Sequence, residues 1–160
     1  MRSREWNRIL TGLLLAPIPL VARAETYMTE AQAAAVLFPG VDMGTRWSDA
    51  GPRTRILWGP NKEALIVDRV LGKHELITYA VAVESNGKVK GIEILDYRET
   101  YGAQIRGKEW RQNFTGKSSR DPLELDQDIP SISGATLSSK HVTEGVRRVL
   151  QTYETLKAKS

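Results

Sequence analysis

The sequence predicts an α+β domain in which an antiparallel sheet with a central hairpin is packed by helices, one of them a long C-terminal helix. The hairpin is indicated by two β-rich segments, residues 76–84 and 88–97, that flank the turn pair Asn86-Gly87. The long helix is indicated over residues 138–157, where apolar residues recur at three- and four-residue spacing. Strands and helices do not alternate along the chain, so a parallel α/β sheet is not expected.

A short helix and a loop-rich stretch are predicted ahead of the main strands. Thr29 and Gln32 have the spacing of a capping box, which places a helix at residues 29–38. Residues 44–62 are rich in glycine, proline and charge, and they predict a loop with one short strand at residues 55–58. A single strand is therefore expected in this part of the chain.

The remaining elements lie on either side of the hairpin. Residues 64–71 are β-like and predict a strand directly before it. Gly91 is predicted to mark a bulge in the second arm of the hairpin. Residues 105–114 predict a short helix that turns Trp110 and Phe114 inward.

The N-terminal segment has the three-part plan of a secretory signal peptide. Three arginines among the first eight residues precede an apolar run at residues 9–20, and Ala22-Arg23-Ala24 has the small-x-small form of a cleavage site. Residues 1–24 are therefore predicted to be a signal peptide, and residues 25–160 to be one domain exported to the periplasm. An uncleaved N-terminal anchor that holds the domain at the membrane is the alternative.

Composition excludes several classes of protein. The chain has 23 basic and 19 acidic residues, but residues 1–24 hold four of the basic and one of the acidic ones, so residues 25–160 carry a net charge of +1. Without a basic patch, no nucleic-acid partner is expected. The absence of cysteine excludes disulfides, thiolate-ligated clusters and a cysteine nucleophile. With His74 and His141 as the two histidines, no histidine metal site is expected, so any redox chemistry needs an organic cofactor.

Residues 133–139, Ser-Gly-Ala-Thr-Leu-Ser-Ser, form the most informative motif and directly precede the long helix. The unpaired N–H groups and the positive end of the dipole at a helix start suit a phosphate. Gly134 and Ala135 let a bulky ligand approach the backbone, and Thr136 offers an oxygen that can carry a phosphoester. The same residues also fit a turn that caps the helix.

This motif is similar to the signature of the periplasmic FMN-binding domain. That family includes the flavin subunits of sodium-pumping NADH:quinone oxidoreductases and many small exported flavoproteins. The resemblance implies FMN as the cofactor, joined through its phosphate to Thr136 by a flavin transferase that uses FAD as the donor. In the motif it implies six cofactor-binding residues: Ser133, Gly134, Ala135, Thr136, Leu137 and Ser138.

A second segment extends the resemblance. Glu99-Thr100-Tyr101-Gly102 resembles the family's Glu-Thr-x-Gly loop, which follows a hairpin and lies near the flavin. The resemblance therefore adds Glu99, Thr100, Tyr101 and Gly102 to the cofactor-binding residues, with Glu99 and Thr100 shaping the pocket beside the isoalloxazine ring. It implies no catalytic residue and no metal ligand.

One position departs from the family pattern. Pro130 stands three residues before Ser133, where the family usually has an acidic residue, and Asp126 and Asp128 lie nearby. Recognition by the transferase through Asp128 and noncovalent binding of FMN both remain open.

The function that the resemblance implies is electron transfer by an exported protein that carries one FMN. Such a protein is a carrier rather than a free-standing enzyme, and its partner is a redox protein or a membrane electron-transfer complex. The alternatives are a noncovalent FMN-dependent reductase of a small acceptor and a flavin-free binding module.

Overall fold

The computed structural model describes residues 27–159, which form a five-stranded antiparallel sheet with helices on both faces. The strands are β1 (Trp47–Gly51), β2 (Thr54–Trp58), β3 (Ala64–Leu71), β4 (Leu76–Val83) and β5 (Val89–Asp96), and they follow this order across the sheet. The helices are α1 (Glu30–Leu37), α2 (Lys108–Gln112) and α3 (Thr136–Lys157), with a 3-10 helix at Ala103–Arg106. The predicted α+β class is confirmed, while the predicted signal peptide, residues 1–24, lies outside the described residues.

The β4–β5 hairpin is present as predicted, with its turn at Asn86-Gly87. Gly87 has a φ of +82°, which glycine adopts without steric cost. The side chain of Asn86 accepts a hydrogen bond from the backbone N–H of Lys88 at 2.9 Å. The predicted bulge is also present, as a shift in the register of the β4–β5 pair beside Gly91.

Two predicted elements differ from the structure. Residues 47–51 were expected to be loop, but they form the edge strand β1, paired antiparallel with β2. The side chains of β1 are exposed or half-buried, so the strand lacks the alternating apolar pattern and forms through its backbone bonds to β2. The helix expected at residues 105–114 is divided at Gly107, whose extended backbone separates the 3-10 helix from α2. Trp110 and Phe114 are buried as predicted.

Helix α3 covers one face of the sheet and α1 covers the other. The buried side of α3 includes the apolar positions whose spacing predicted the helix: Val142, Val146, Val149, Leu150 and Tyr153. At Gly145 the helix lies so close to β4 that an added Cβ would be 2.1 Å from the hydroxyl of Tyr79. Within residues 27–159, no helix is long and apolar enough to cross a membrane.

Candidate functional site

The N-terminus of α3 is the centre of the candidate site. The helix begins at Thr136, two residues before the predicted start, and its N-cap residue Ala135 makes no side-chain capping bond. Within residues 27–159, the backbone N–H groups of Thr136, Leu137 and Ser138 have no hydrogen-bond partner. Three donors and the positive end of a 22-residue helix dipole are therefore available to an anion. The turn that the motif alone also fits is present, since the N–H of Ala135 donates to the carbonyl of Ile132 at 3.0 Å, but none of the described side chains caps the helix.

These donors border a cavity of about 360 Å³, a volume within the range of about 300–1,000 Å³ that small-molecule sites occupy. Its wall is formed by the turn after β3, the loop after β5 and the start of α3: Lys73, His74, Glu99, Thr100, Tyr101, Gly134, Ala135, Thr136, Leu137 and Ser138. Eight of the ten residues predicted to bind a cofactor belong to this wall. Gly102 and Ser133 do not.

Gly102 lies behind the wall and joins the two predicted loops. Its φ is +88°, and an added Cβ would be 2.2 Å from the Cβ of Ala135 and 2.6 Å from the hydroxyl of Tyr97. The loop after β5 and the start of α3 therefore touch directly through Gly102 and Ala135. Ser133 is exposed, and its side chain makes no hydrogen bond with any residue that the structure describes.

Tyr97 supports the loop after β5 from the end of the sheet. Its hydroxyl donates a hydrogen bond to the backbone carbonyl of Tyr101. Burial raises the pKa of Tyr97, and this effect outweighs a hydrogen bond with the Ser138 hydroxyl, which lowers the pKa. The phenol is therefore protonated at neutral pH. Tyr97 packs in the core, whereas Tyr101 is 77% exposed and lies on the cavity wall.

Glu99 stabilises the turn that follows β3. Its carboxylate accepts backbone N–H bonds from His74 at 2.6 Å and from Glu75 at 3.0 Å. Partial burial raises the pKa of Glu99, but the backbone N–H groups of residues 73–75 outweigh it and the pKa lies below its usual value. The carboxylate is therefore ionised at neutral pH and holds Lys73 and His74 at the cavity.

Three residues of this site were not identified from the sequence. Lys73 and His74 lie on the cavity wall, although neither belongs to a motif that the sequence analysis identified. Ser139 is fully buried, and its hydroxyl bonds to the carbonyls of Ala135 and Thr136, both at 3.1 Å. Ser139 could have been identified from the sequence because it is the last residue of the motif. No sequence pattern pointed to the turn at Lys73.

Asp128 stabilises the loop that precedes the Ser-Gly-Ala-Thr motif. Its carboxylate accepts the backbone N–H groups of Leu123 at 3.2 Å and Glu124 at 2.9 Å, and it pairs with Lys117 at 3.0 Å. Partial burial raises the pKa of Asp128, but these bonds outweigh it and lower the pKa overall. The Asp128 side chain is thus part of the internal structure of the loop, and the carbonyl of Pro130 is held by the indole N–H of Trp110 at 2.8 Å.

The residues at this site fit a flavin phosphate better than a metal. The phosphate has donors at the start of α3, and the cavity offers both a cationic wall at Lys73 and an exposed ring at Tyr101. Among the described residues, no group of three or more histidine, aspartate or glutamate side chains is placed to hold a metal ion.

Comparison with known proteins identifies the family. The FMN-binding domain matches residues 72–151, half of the chain, and this range contains both loops of the cavity and the start of α3. Over 84 residues the chain is 36% identical to one subunit of the Na⁺-translocating ferredoxin:NAD⁺ oxidoreductase complex of Acetobacterium woodii. That match covers 46% of this chain and 40% of the relative, so the chain spans less than half of the relative's length. The chain belongs to the FMN-binding domain family, and its cofactor is FMN.

Proposed function

We propose that this protein is an exported electron-transfer module that carries one FMN, with the FMN phosphate at the start of α3. The observation that carries the proposal is the uncapped start of this helix, whose three N–H groups border a cavity of suitable size. The backbone N–H groups of Thr136, Leu137 and Ser138 would donate hydrogen bonds to an FMN phosphate placed there. Lys73 adds positive charge on the opposite segment of the wall.

We further propose that Thr136 is the covalent anchor. Its side chain is exposed at the cavity and therefore accessible to a transferase. The Thr136 hydroxyl would form a new P–O bond at the FMN phosphate of FAD and lose its proton, and the P–O bond to the AMP leaving group would break. The product is a phosphoester that adds one FMN less one water to the chain. Such a tether prevents loss of the cofactor outside the cytoplasm, where the N-terminal segment would deliver the protein.

Electron transfer is proposed because the FMN cofactor of this family can exchange electrons with a partner. The flavin supplies the redox chemistry when it is bound, and the protein binds and orients it. Tyr101 is exposed at the cavity, so a partner protein can approach this edge of the site. The relative from Acetobacterium woodii is a subunit of an oxidoreductase complex, which supports a redox protein or a membrane complex as the partner.

Noncovalent FMN is the second candidate, and a specific observation favours it. Pro130 replaces the usual acidic residue, and Asp128 cannot substitute freely because its carboxylate is bonded to Leu123, Glu124 and Lys117. In that case the same cavity holds FMN through its phosphate alone, and the protein can act as a reductase of a small acceptor.

The proposal is tested by producing the protein with its export signal in a host that contains a flavin transferase. The purified protein should contain one FMN per chain, and the FMN absorbance should bleach on anaerobic reduction and return on reoxidation. Thr136→Ala should lose flavin on gel filtration, whereas Ser131→Ala, at an exposed residue outside the cavity wall, should retain it. Colourless wild-type protein, or flavin that cannot be reversibly reduced, would refute the proposal.

A further inference from the structure

The turn between β3 and β4 forms a side of the candidate cavity that neither sequence motif covers, and Lys73 and His74 line the cavity from this turn. A backbone hydrogen bond of 2.8 Å between Gly72 and Glu75 closes the turn. The carboxylate of Glu99 accepts the backbone N–H groups of His74 at 2.6 Å and Glu75 at 3.0 Å. The backbone of Lys73 is therefore fixed at the cavity wall.

Lys73 is the one lysine or arginine among the described residues that line this cavity. Its side chain is exposed and makes no ion pair or hydrogen bond with any residue from 27 to 159. Glu99 is the one acidic residue among the same lining residues, and its carboxylate already accepts two N–H groups of the turn. The ammonium group of Lys73 is thus available to a ligand in the cavity.

The turn also borders the part of the cavity that remains for a flavin ring. In the proposed function, the backbone N–H groups at the start of α3 bind the FMN phosphate. A volume of about 360 Å³ is far larger than a phosphate group, so the ring would occupy the rest of the cavity. That part is bordered by Lys73 and His74 of the turn and by Thr100 and Tyr101 of the loop after β5.

On the basis of that proposed placement of FMN, we propose that Lys73 stabilises the reduced cofactor and thereby raises its reduction potential. Two electrons from a redox partner and one proton from solvent convert oxidised FMN to a reduced form that carries a negative charge on the ring. A cation beside the ring interacts more strongly with this form than with the neutral oxidised ring. An opposite charge about 4 Å away changes an equilibrium constant by about fivefold, even at the dielectric constant of water.

Spectroelectrochemical titration of the FMN-loaded protein tests this role, with an electrode supplying the electrons through mediator dyes. The measured quantity is the ratio of reduced to oxidised FMN at a fixed electrode potential and fixed pH. Lys73→Met removes the charge and keeps an unbranched side chain, so it should lower this ratio by about fivefold or more. Lys73→Arg keeps the charge and should leave the ratio close to that of the wild-type protein.

The matched control is Lys88→Met, at an exposed lysine beside the hairpin turn at the other end of the sheet. The eight residues of β5 place Lys88 about 25 Å from the end of the sheet that borders the cavity. This distance exceeds the Debye length at physiological salt, so Lys88→Met should leave the ratio unchanged.

An unchanged ratio in Lys73→Met, or an equal fall in Lys88→Met, would overturn the role of Lys73 and leave the proposed function intact. Loss of oxidised FMN from Lys73→Met on gel filtration would also overturn this role, because Lys73 would then bind the cofactor in both redox states. Wild-type protein that holds no FMN would refute the proposed function, and the role of Lys73 with it.

Discussion

Gly102 joins the two loops of the proposed FMN cavity, and Gly102→Ala tests how tightly they pack. With φ at +88°, any residue with a Cβ is strained there by about 1–2 kcal/mol. The new Cβ would also lie 2.2 Å from the Cβ of Ala135 and 2.6 Å from the hydroxyl of Tyr97. Overpacking of this kind costs about 1–3 kcal/mol, so the free energy of unfolding should fall by about 2–5 kcal/mol in total.

Gly116→Ala is the matched control for this change. Gly116 has a φ of +80°, but an added Cβ there meets no atom within 4 Å, so only the backbone strain applies. Urea denaturation of both variants should show a larger loss of stability for Gly102→Ala, and the difference measures the contact with Ala135 and Tyr97. Adding Ala135→Gly to Gly102→Ala should recover part of that difference because it removes the shorter contact.

The same substitution should weaken retention of FMN, since Ala135 directly precedes Thr136 and a displaced Ala135 moves the start of α3. Flavin content after gel filtration measures this effect. Equal stability losses for Gly102→Ala and Gly116→Ala, or no recovery in the double variant, would show that the two loops do not pack as described.

Two further predictions concern ionisable groups. Because the pKa of Glu99 is lower in the folded protein than its usual value of 4.5, its contribution to stability is present above that value and is lost as the pH falls below it. Glu99→Gln should therefore flatten the pH dependence of urea stability between about pH 5 and pH 3, and an unchanged slope would contradict this role. Burial raises the pKa of Tyr153 to about 12, and its hydroxyl bonds to the carbonyls of Lys62 at 2.9 Å and Glu84 at 3.0 Å. Tyr153→Phe should cost about 1–3 kcal/mol of stability, more than Tyr27→Phe at the more exposed Tyr27, and a smaller cost than Tyr27→Phe would refute the assignment.

Elements with a strong local signal could be predicted from the sequence. The hairpin turn at Asn86-Gly87 and helix α3 are both specified by residues close together in the sequence. Both elements are found where they were expected. Strand β1 could not be predicted, because its side chains are largely exposed and the strand forms through pairing with β2.

The sequence predicted which segments line the candidate site, but it did not predict the hydrogen bonds between those segments. The two motifs identified most of the cavity wall, yet the bond from Glu99 to the turn at His74 joins residues 25 positions apart. Outside the candidate site, the ion pair of Arg148 and Asp68 likewise joins residues 80 positions apart. Contacts of this kind depend on how the sheet brings distant segments together, and no local pattern encodes them.

Intact mass under denaturing conditions tests most directly the proposed attachment of FMN to Thr136 at the start of α3. Exported protein from a host with a flavin transferase should be heavier than its chain by one FMN less one water. Thr136→Ala should have the mass of the chain alone, while Thr136→Ser, which keeps a hydroxyl, should retain the added mass. Wild-type protein with the mass of the bare chain would contradict the covalent link, and an unchanged added mass in Thr136→Ala would contradict the anchor.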